Sequence, residues 1–206
     1  MADSSKAKNA LAAAGRRFYA RGWVMGTSGN FSLVQSRKPF RLIISSSGVP
    51  KGELKDAHFI QVDANGRAIG RTNLRPSAET LLHIVIANER GAGAVLHTHS
   101  IASTVLSLRH QADEGLAIEG LEMLKGLDGV TSHAHREWVP IIHNSQDMAR
   151  LGADLSAALT AHPEAHGVLI AGHGMYTWGK TLADAERHVE ILEFLLEASL
   201  NRAILQ

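Results

Sequence analysis

Gly93-Ala94-Val95-Leu96-His97-Thr98-His99-Ser100 runs from a small-residue turn through a short apolar stretch into two histidines separated by one residue. Val95 and Leu96 read as the end of a buried strand. In an extended segment, side chains two apart point to the same side, so the imidazoles of His97 and His99 can converge on one divalent ion. Taken alone, the pair is equally readable as two surface histidines. A second histidine segment, Gly172-His173-Gly174-Met175-Tyr176, follows another apolar run, Val168-Leu169-Ile170. Three neutral imidazoles on one ion leave a coordination position open, the arrangement of catalytic rather than structural sites. Strands ending in polar residues also place the chemistry at a strand's carboxyl end, as α/β proteins do.

Working outward, Ser4 to Arg21 carries Leu11, Ala14 and Phe18 at helical spacing before Gly22. Phe31–Val34 and Arg41–Ile44 read as strands, and Asp63-Ala64-Asn65-Gly66 as the turn of a hairpin joining Phe59–Val62 to Arg67–Ile69. Helices are expected over Ser77–Arg90, from near Ser100, and over Gln146–Thr160. Val139–Ile142 is strand-like, whereas Ile118–Lys125 fits neither period. Thr181-Leu182-Ala183-Asp184 has the form of a capping box for a terminal helix. Leu182, Ala185, Val189, Leu192 and Leu196 line its main stripe, and Phe194 and Leu195 beside it leave open core packing or a subunit contact. With no repeat or composition break, residues 1–206 are expected to form one α/β domain, its central sheet largely antiparallel and helices on both sides.

The chain has 206 residues, 45% hydrophobic and 20% charged, with net charge +1, so no nucleic-acid surface and no polybasic membrane surface are expected. With no cysteine there is neither a disulfide framework nor a thiolate metal site. The polar start Met1-Ala2-Asp3-Ser4-Ser5-Lys6 lacks the apolar core of a signal peptide, and a cytoplasmic protein is expected.

Gly26-Thr27-Ser28-Gly29-Asn30 is either an ordinary turn or an anion cradle of free amides. Ser45-Ser46-Ser47-Gly48, with Lys51 beyond it, and Pro76-Ser77 at a helix start repeat that chemistry, and together the three make a phosphate pocket plausible. Glu79, in the first turn of the Ser77 helix, is favoured there by the helix dipole alone. Glu122 lies in an apolar segment, Gly120-Leu121-Glu122-Met123-Leu124-Lys125-Gly126, where a carboxyl with a raised pKa can act as acid or base, although a solvated position fits the spacing too. His83 and His188 read as packing or surface residues, and His133 and His135 as loop residues.

These motifs occur in the order that characterises the class II aldolases, and from Leu11 to Ala198 the chain resembles that family. Within it, Gly120–Gly126 and His173-Gly174-Met175-Tyr176-Thr177-Trp178-Gly179 are similar to the branch that dehydrates 5-methylthioribulose 1-phosphate in methionine salvage. The resemblance implies a three-layer α/β/α fold and one Zn2+ per subunit on His97, His99 and His173. It also implies phosphate contacts from Asn30, Ser47, Gly48 and Ser77, and Glu122 as the acid/base of the dehydratases. Glu79 matches the acid/base of the aldolases. Ala78 stands where the aldolase pattern has a second phosphate-contacting serine. A homotetramer is implied as well, and the active site is expected near a subunit boundary; the aromatic Tyr176-Thr177-Trp178 segment beside His173 can wall a pocket, anchor an interface or do both. The resemblance leaves two other outcomes open, an aldolase or epimerase acting on another ketose phosphate and a non-catalytic scaffold.

Overall fold

The computed structural model describes residues 4–205, so Met1–Asp3 of the polar N-terminal stretch fall outside it. Its framework is an eight-stranded sheet. In chain order the elements are α1 (Ser4–Ala20), β1 (Asn30–Arg37), β2 (Phe40–Ser45), β3 (Phe59–Val62), α2 (Thr80–Glu89), β4 (Ala94–Thr98) and α3 (Ile101–Arg109). There follow β5 (Gly115–Ile118), β6 (Glu137–Ile142), α4 (Met148–Ala161), β7 (Gly167–Ile170), β8 (Gly174–Gly179) and α5 (Leu182–Ile204). The strands lie in the order β3-β2-β1-β4-β8-β7-β6-β5. Only the β6–β7 junction is parallel; every other neighbouring pair is antiparallel.

Two helical layers cover the sheet because its strands alternate. In β4, Ala94 and Leu96 pack with Leu11, Phe18 and Val189 of α1 and α5, while Val95 points the other way, to Leu82 of α2 and Leu155 of α4. The helix α3 joins the first layer through Ala102 and Leu106. The sandwich is thus α1, α3 and α5 over the sheet, with α2 and α4 beneath it. Caps begin three of the helices: Ser100 accepts from Ser103 N, Asp147 from Ala149 N and Arg150 N, and Thr181 from Asp184 N in the capping box read from the sequence.

Some expectations change. The Asn65-Gly66 turn forms, with Asp63 N donating to Arg67 O at 2.9 Å, but its second arm makes a single bridge, Val62–Ala68, and not a strand. The ambiguous Ile118–Lys125 stretch divides into the end of β5 and a 3-10 turn, Glu122–Gly126. Tyr176-Thr177-Trp178 belongs to β8, an interior strand whose residues are all buried, so it presents no subunit contact. Leu195 is core, while Phe194 is 47% exposed.

Candidate metal centre and phosphate cradle

Following strand directions across the sheet locates the site. The carboxyl ends of β2, β4 and β7 and the amino ends of β1 and β8 meet at one end of the sheet. His97 is the penultimate residue of β4, His173 lies in the tight connection from β7 to β8, and Asn30 opens β1. Asn30, His97 and Tyr176 form one row across three strands, since Asn30 pairs with His97 and His97 with Tyr176. The His97 ring stacks on Tyr176 with centroids 3.9 Å apart. His99, just past the strand, is fastened by its amide, which donates to Trp23 O at 2.7 Å. Glycines permit the close approach: a side chain on Gly174 would meet Thr98 O at 2.1 Å. Gly29 has φ +77°, and a side chain there would meet His97 O at 2.7 Å.

The three sequence-predicted histidines come together, with one ligand atom of each lying within 4.8 Å of the others. His97 Nδ1 donates to Met175 O at 2.9 Å, leaving Nε2 its lone pair. The Nε2 atoms of His97 and His99 and the Nδ1 of His173 are buried without a hydrogen-bond partner. Burial, followed by the neighbouring His97 and His173, lowers the His99 pKa to about 3, so its imidazole is neutral. Buried, converging imidazole nitrogens without protein partners are the donor set a divalent metal takes, and the residues fit such an ion.

Glu79 stands at the N-cap of α2 but does not cap it. Its carboxylate instead faces the histidines, Oε1 being 3.0 Å from His173 Nε2 and 3.6 Å from His97 Nε2. Asn30 Nδ2 donates to its Oε2 at 2.5 Å. Burial opposes ionisation of Glu79, but the hydrogen bond from His173, the neighbouring His97 imidazole and the hydrogen bond from Asn30 outweigh it and hold the carboxyl far below the usual range. The helix-start reading of Glu79 is therefore incomplete: the group belongs to the histidine cluster.

His83, read from sequence as packing or surface, is wholly buried and organises that cluster. Its Nε2 bonds Asn30 Oδ1, and its Nδ1 lies 2.7 Å from Ser32 Oγ. Burial lowers its pKa to about 3, so the ring is neutral, protonated on Nε2 and accepting from Ser32. That bond turns the Asn30 amide so that Nδ2 faces Glu79 and Ser77 Oγ, the latter at 3.1 Å. Nothing in the spacing of an isolated helical histidine marks this role.

Beside the cluster is a cavity of about 200 Å3 whose walls include Asn30, Ser47, Gly48 and Ser77, together with Glu79 and His99. The four expected phosphate contacts thus share one cavity. Two further groups of the Ser45–Lys51 stretch join them: Ser46, whose buried hydroxyl has no partner, and Lys51, 1% exposed. Larger cavities lie elsewhere, but none of their linings includes a residue of the histidine cluster.

Glu122 is not part of this assembly. It follows the far end of β5, at the opposite end of the sheet and four strands from β4, a lateral separation of roughly 19 Å. Its side chain is 69% exposed and accepts from Lys125 Nζ at 2.6 Å, with His133 Nδ1 at 3.6 Å. The Lys125 hydrogen bond lowers its pKa, contrary to the apolar setting expected from sequence. The apolar neighbours explain the difference: Leu124 and Leu127 turn into the core, and the 3-10 turn leaves Glu122 outside.

A family model described as the class II aldolase and adducin N-terminal domain matches residues 9–200. A methylthioribulose-1-phosphate dehydratase of Methylococcus capsulatus is 47% identical over 189 residues, 91% of this chain and 89% of that protein. One from Sorangium cellulosum is 44% identical over 183 residues, 88% and 85% of the two chains. Among solved structures, an L-fuculose 1-phosphate aldolase superposes with TM-score 0.79 at 20% identity, covering 100% of this chain and 88% of that one. With the histidine cluster and the sheet order already in view, these likenesses place the chain in the class II aldolase and adducin N-terminal domain family.

Proposed function

We propose that the chain is a zinc-dependent hydro-lyase that converts 5-methylthioribulose 1-phosphate to 5-methylthio-2,3-dioxopentyl phosphate in methionine salvage. The observation that carries this reading is the convergence of His97, His99 and His173 beside a cavity walled by Asn30, Ser47, Gly48 and Ser77. Relatives 42–47% identical named methylthioribulose-1-phosphate dehydratase support the choice of substrate. A non-catalytic scaffold has no use for three unpartnered buried imidazole nitrogens.

When bound, zinc would supply a Lewis acid that draws negative charge onto the substrate's carbonyl side. His97, His99 and His173 would hold it, with the Glu79 carboxylate beside them. Asn30, Ser47, Gly48 and Ser77 would hold the phosphoryl group and so fix the sugar against the histidines. The reaction removes the C3 proton and the C4 hydroxyl, and the resulting enol becomes the second ketone. Glu122 is proposed to carry the proton between these positions. Its place at the far end of the sheet means that it must serve the site of a second copy, which fits a homotetramer with active sites at subunit boundaries.

A second reading, an aldolase or epimerase acting on another ketose phosphate, rests on Glu79, the carboxylate that one chain places at its own histidines. Product analysis separates the two. Incubating the zinc-loaded protein with 5-methylthioribulose 1-phosphate should yield the diketone and no carbonyl fragments. Fragments, or no turnover of this substrate alongside turnover of another ketose phosphate, would replace the dehydratase reading with the second.

A further inference from the structure

The four phosphate contacts that the family resemblance implies, Asn30, Ser47, Gly48 and Ser77, form a neutral cradle of amides and hydroxyls. The structure adds a charge to it. Lys51 opens a short 3-10 turn, Lys51–Glu53, yet its side chain is turned inward and only 1% exposed. Its Nζ donates to Thr27 O at 2.8 Å and to Val49 O at 3.0 Å, one carbonyl from each of two turns beside the cavity. An ammonium has three N–H groups, so one remains beyond those two bonds. Among the described residues no carboxylate comes within 4.0 Å of it, and the Glu79 charge acts only at longer range. A buried cation held by neutral carbonyls alone is costly, since nothing replaces the hydration it has lost. Burial accordingly lowers its pKa to about 8. The same cavity holds the Ser46 hydroxyl, 2% exposed and without a partner. An unbalanced cation and an unpartnered donor in one cavity are complementary to an anionic group rich in acceptor oxygens.

We propose that Lys51, assisted by Ser46, is the counter-charge for the substrate's phosphoryl group and makes the site select phosphorylated over unphosphorylated sugars. The inference rests on the phosphate cradle described under the proposed function and deepens it. A lysine that only tied the two turns together would hold the loops but would not sense the charge of the ligand.

The probe is inorganic phosphate, titrated calorimetrically into the zinc-loaded protein and into Lys51→Met, which keeps the aliphatic volume and removes the charge. The expected result is phosphate binding at least 10-fold weaker in the variant with metal content unchanged, and a KM for the phosphorylated substrate raised in proportion while kcat changes by less than about 3-fold. Phosphate binding within 2-fold of wild type would overturn the role of Lys51 and leave the cradle standing. Failure of the wild-type protein to bind phosphate at all would overturn the cradle and this inference with it. If the variant does not fold, the wild-type protein still decides. The Lys51 Nζ resonance, followed by 15N NMR, should shift as phosphate saturates the site, and an unmoved resonance at saturation would overturn the proposal.

Discussion

The side-chain amide of Asn30 donates to Glu79 at 2.5 Å, so the first residue of β1 orients the residue just before α2. The bond is directional because His83 holds the other end of the amide. Asn30→Asp replaces the donor with a second carboxylate, and two such groups at this distance cannot both ionise. Metal affinity should fall by roughly 10–100-fold, the usual scale for an outer partner of a metal site. Chelator competition measures it, and an unchanged affinity would show that Asn30 does not orient Glu79.

Replacing His97 or His99 with alanine should abolish metal binding while the protein stays folded, because the core clusters do not depend on the cation. The two variants should differ in stability. His97 is fully buried and stacked on Tyr176, so its loss leaves a cavity costing about 2–4 kcal/mol. His99 lines the open cavity, and its loss should cost less. Metal analysis with urea unfolding of the metal-free proteins checks both statements; stoichiometric metal retained in both variants would remove these residues from the ligand set.

What the sequence made legible followed from local rules. His97 and His99 flank one residue at a strand end, and Gly172-His173-Gly174 follows an apolar run, so the period of a strand was enough to align them. The terminal helix was legible from Thr181 and Asp184, which cap it as their spacing indicates. The interior placement of β8 was not, because Gly174–Gly179 lacks polar alternation when both faces are buried. The roles of Lys51 and His83 were not legible for a different reason. Each is an ordinary residue in sequence, and each acquires its role from partners at distant positions, Thr27 for one and Asn30 for the other. The position of Glu122 depended on strand direction, which a single parallel junction between β6 and β7 helps to set.

Glu122→Gln should retain metal and phosphate binding and lose about 100-fold or more in turnover, the scale of a missing acid/base. Because Glu122 lies at the far end of its own sheet, a mixed-oligomer test follows. Co-assembling Glu122→Gln with His97→Ala, each inactive alone, should restore activity at boundaries where an intact metal site meets an intact Glu122. No recovery from verified mixed oligomers would argue that Glu122 does not act across subunits. Near-normal turnover of Glu122→Gln alone would instead move the acid/base role to Glu79.

Glu193 offers a test that leaves the metal ligands in place. This carboxyl on α5 is 2% exposed and accepts from Thr98 Oγ1 at 2.5 Å, behind the strand that carries His97. Burial is the main cause that raises its pKa, to about 7, with the Glu197 charge adding to it against the hydrogen bonds from Ser100 and Thr98. The unfolded chain ionises near the ordinary carboxylate value, about 4.3. Between that value and the folded one, the native state binds more protons, so stability falls as pH rises through the window. Each unit is worth about 1.4 kcal/mol, which makes the loss complete by pH 8 and on the order of 4 kcal/mol. Glu193→Gln can still accept from Thr98 and does not ionise, and the adjoining cavity lined by Arg21 and Asn201 gives its amide access to polar partners. The variant should match wild type within about 1 kcal/mol at pH 5 and exceed it by roughly 1–3 kcal/mol at pH 8. Urea unfolding at the two pH values decides the matter, since the histidines titrate alike in both proteins and cancel in the difference. Equal stability at pH 8 would mean that Glu193 ionises in the folded state at little cost and that its burial is better compensated than its two hydroxyl donors indicate.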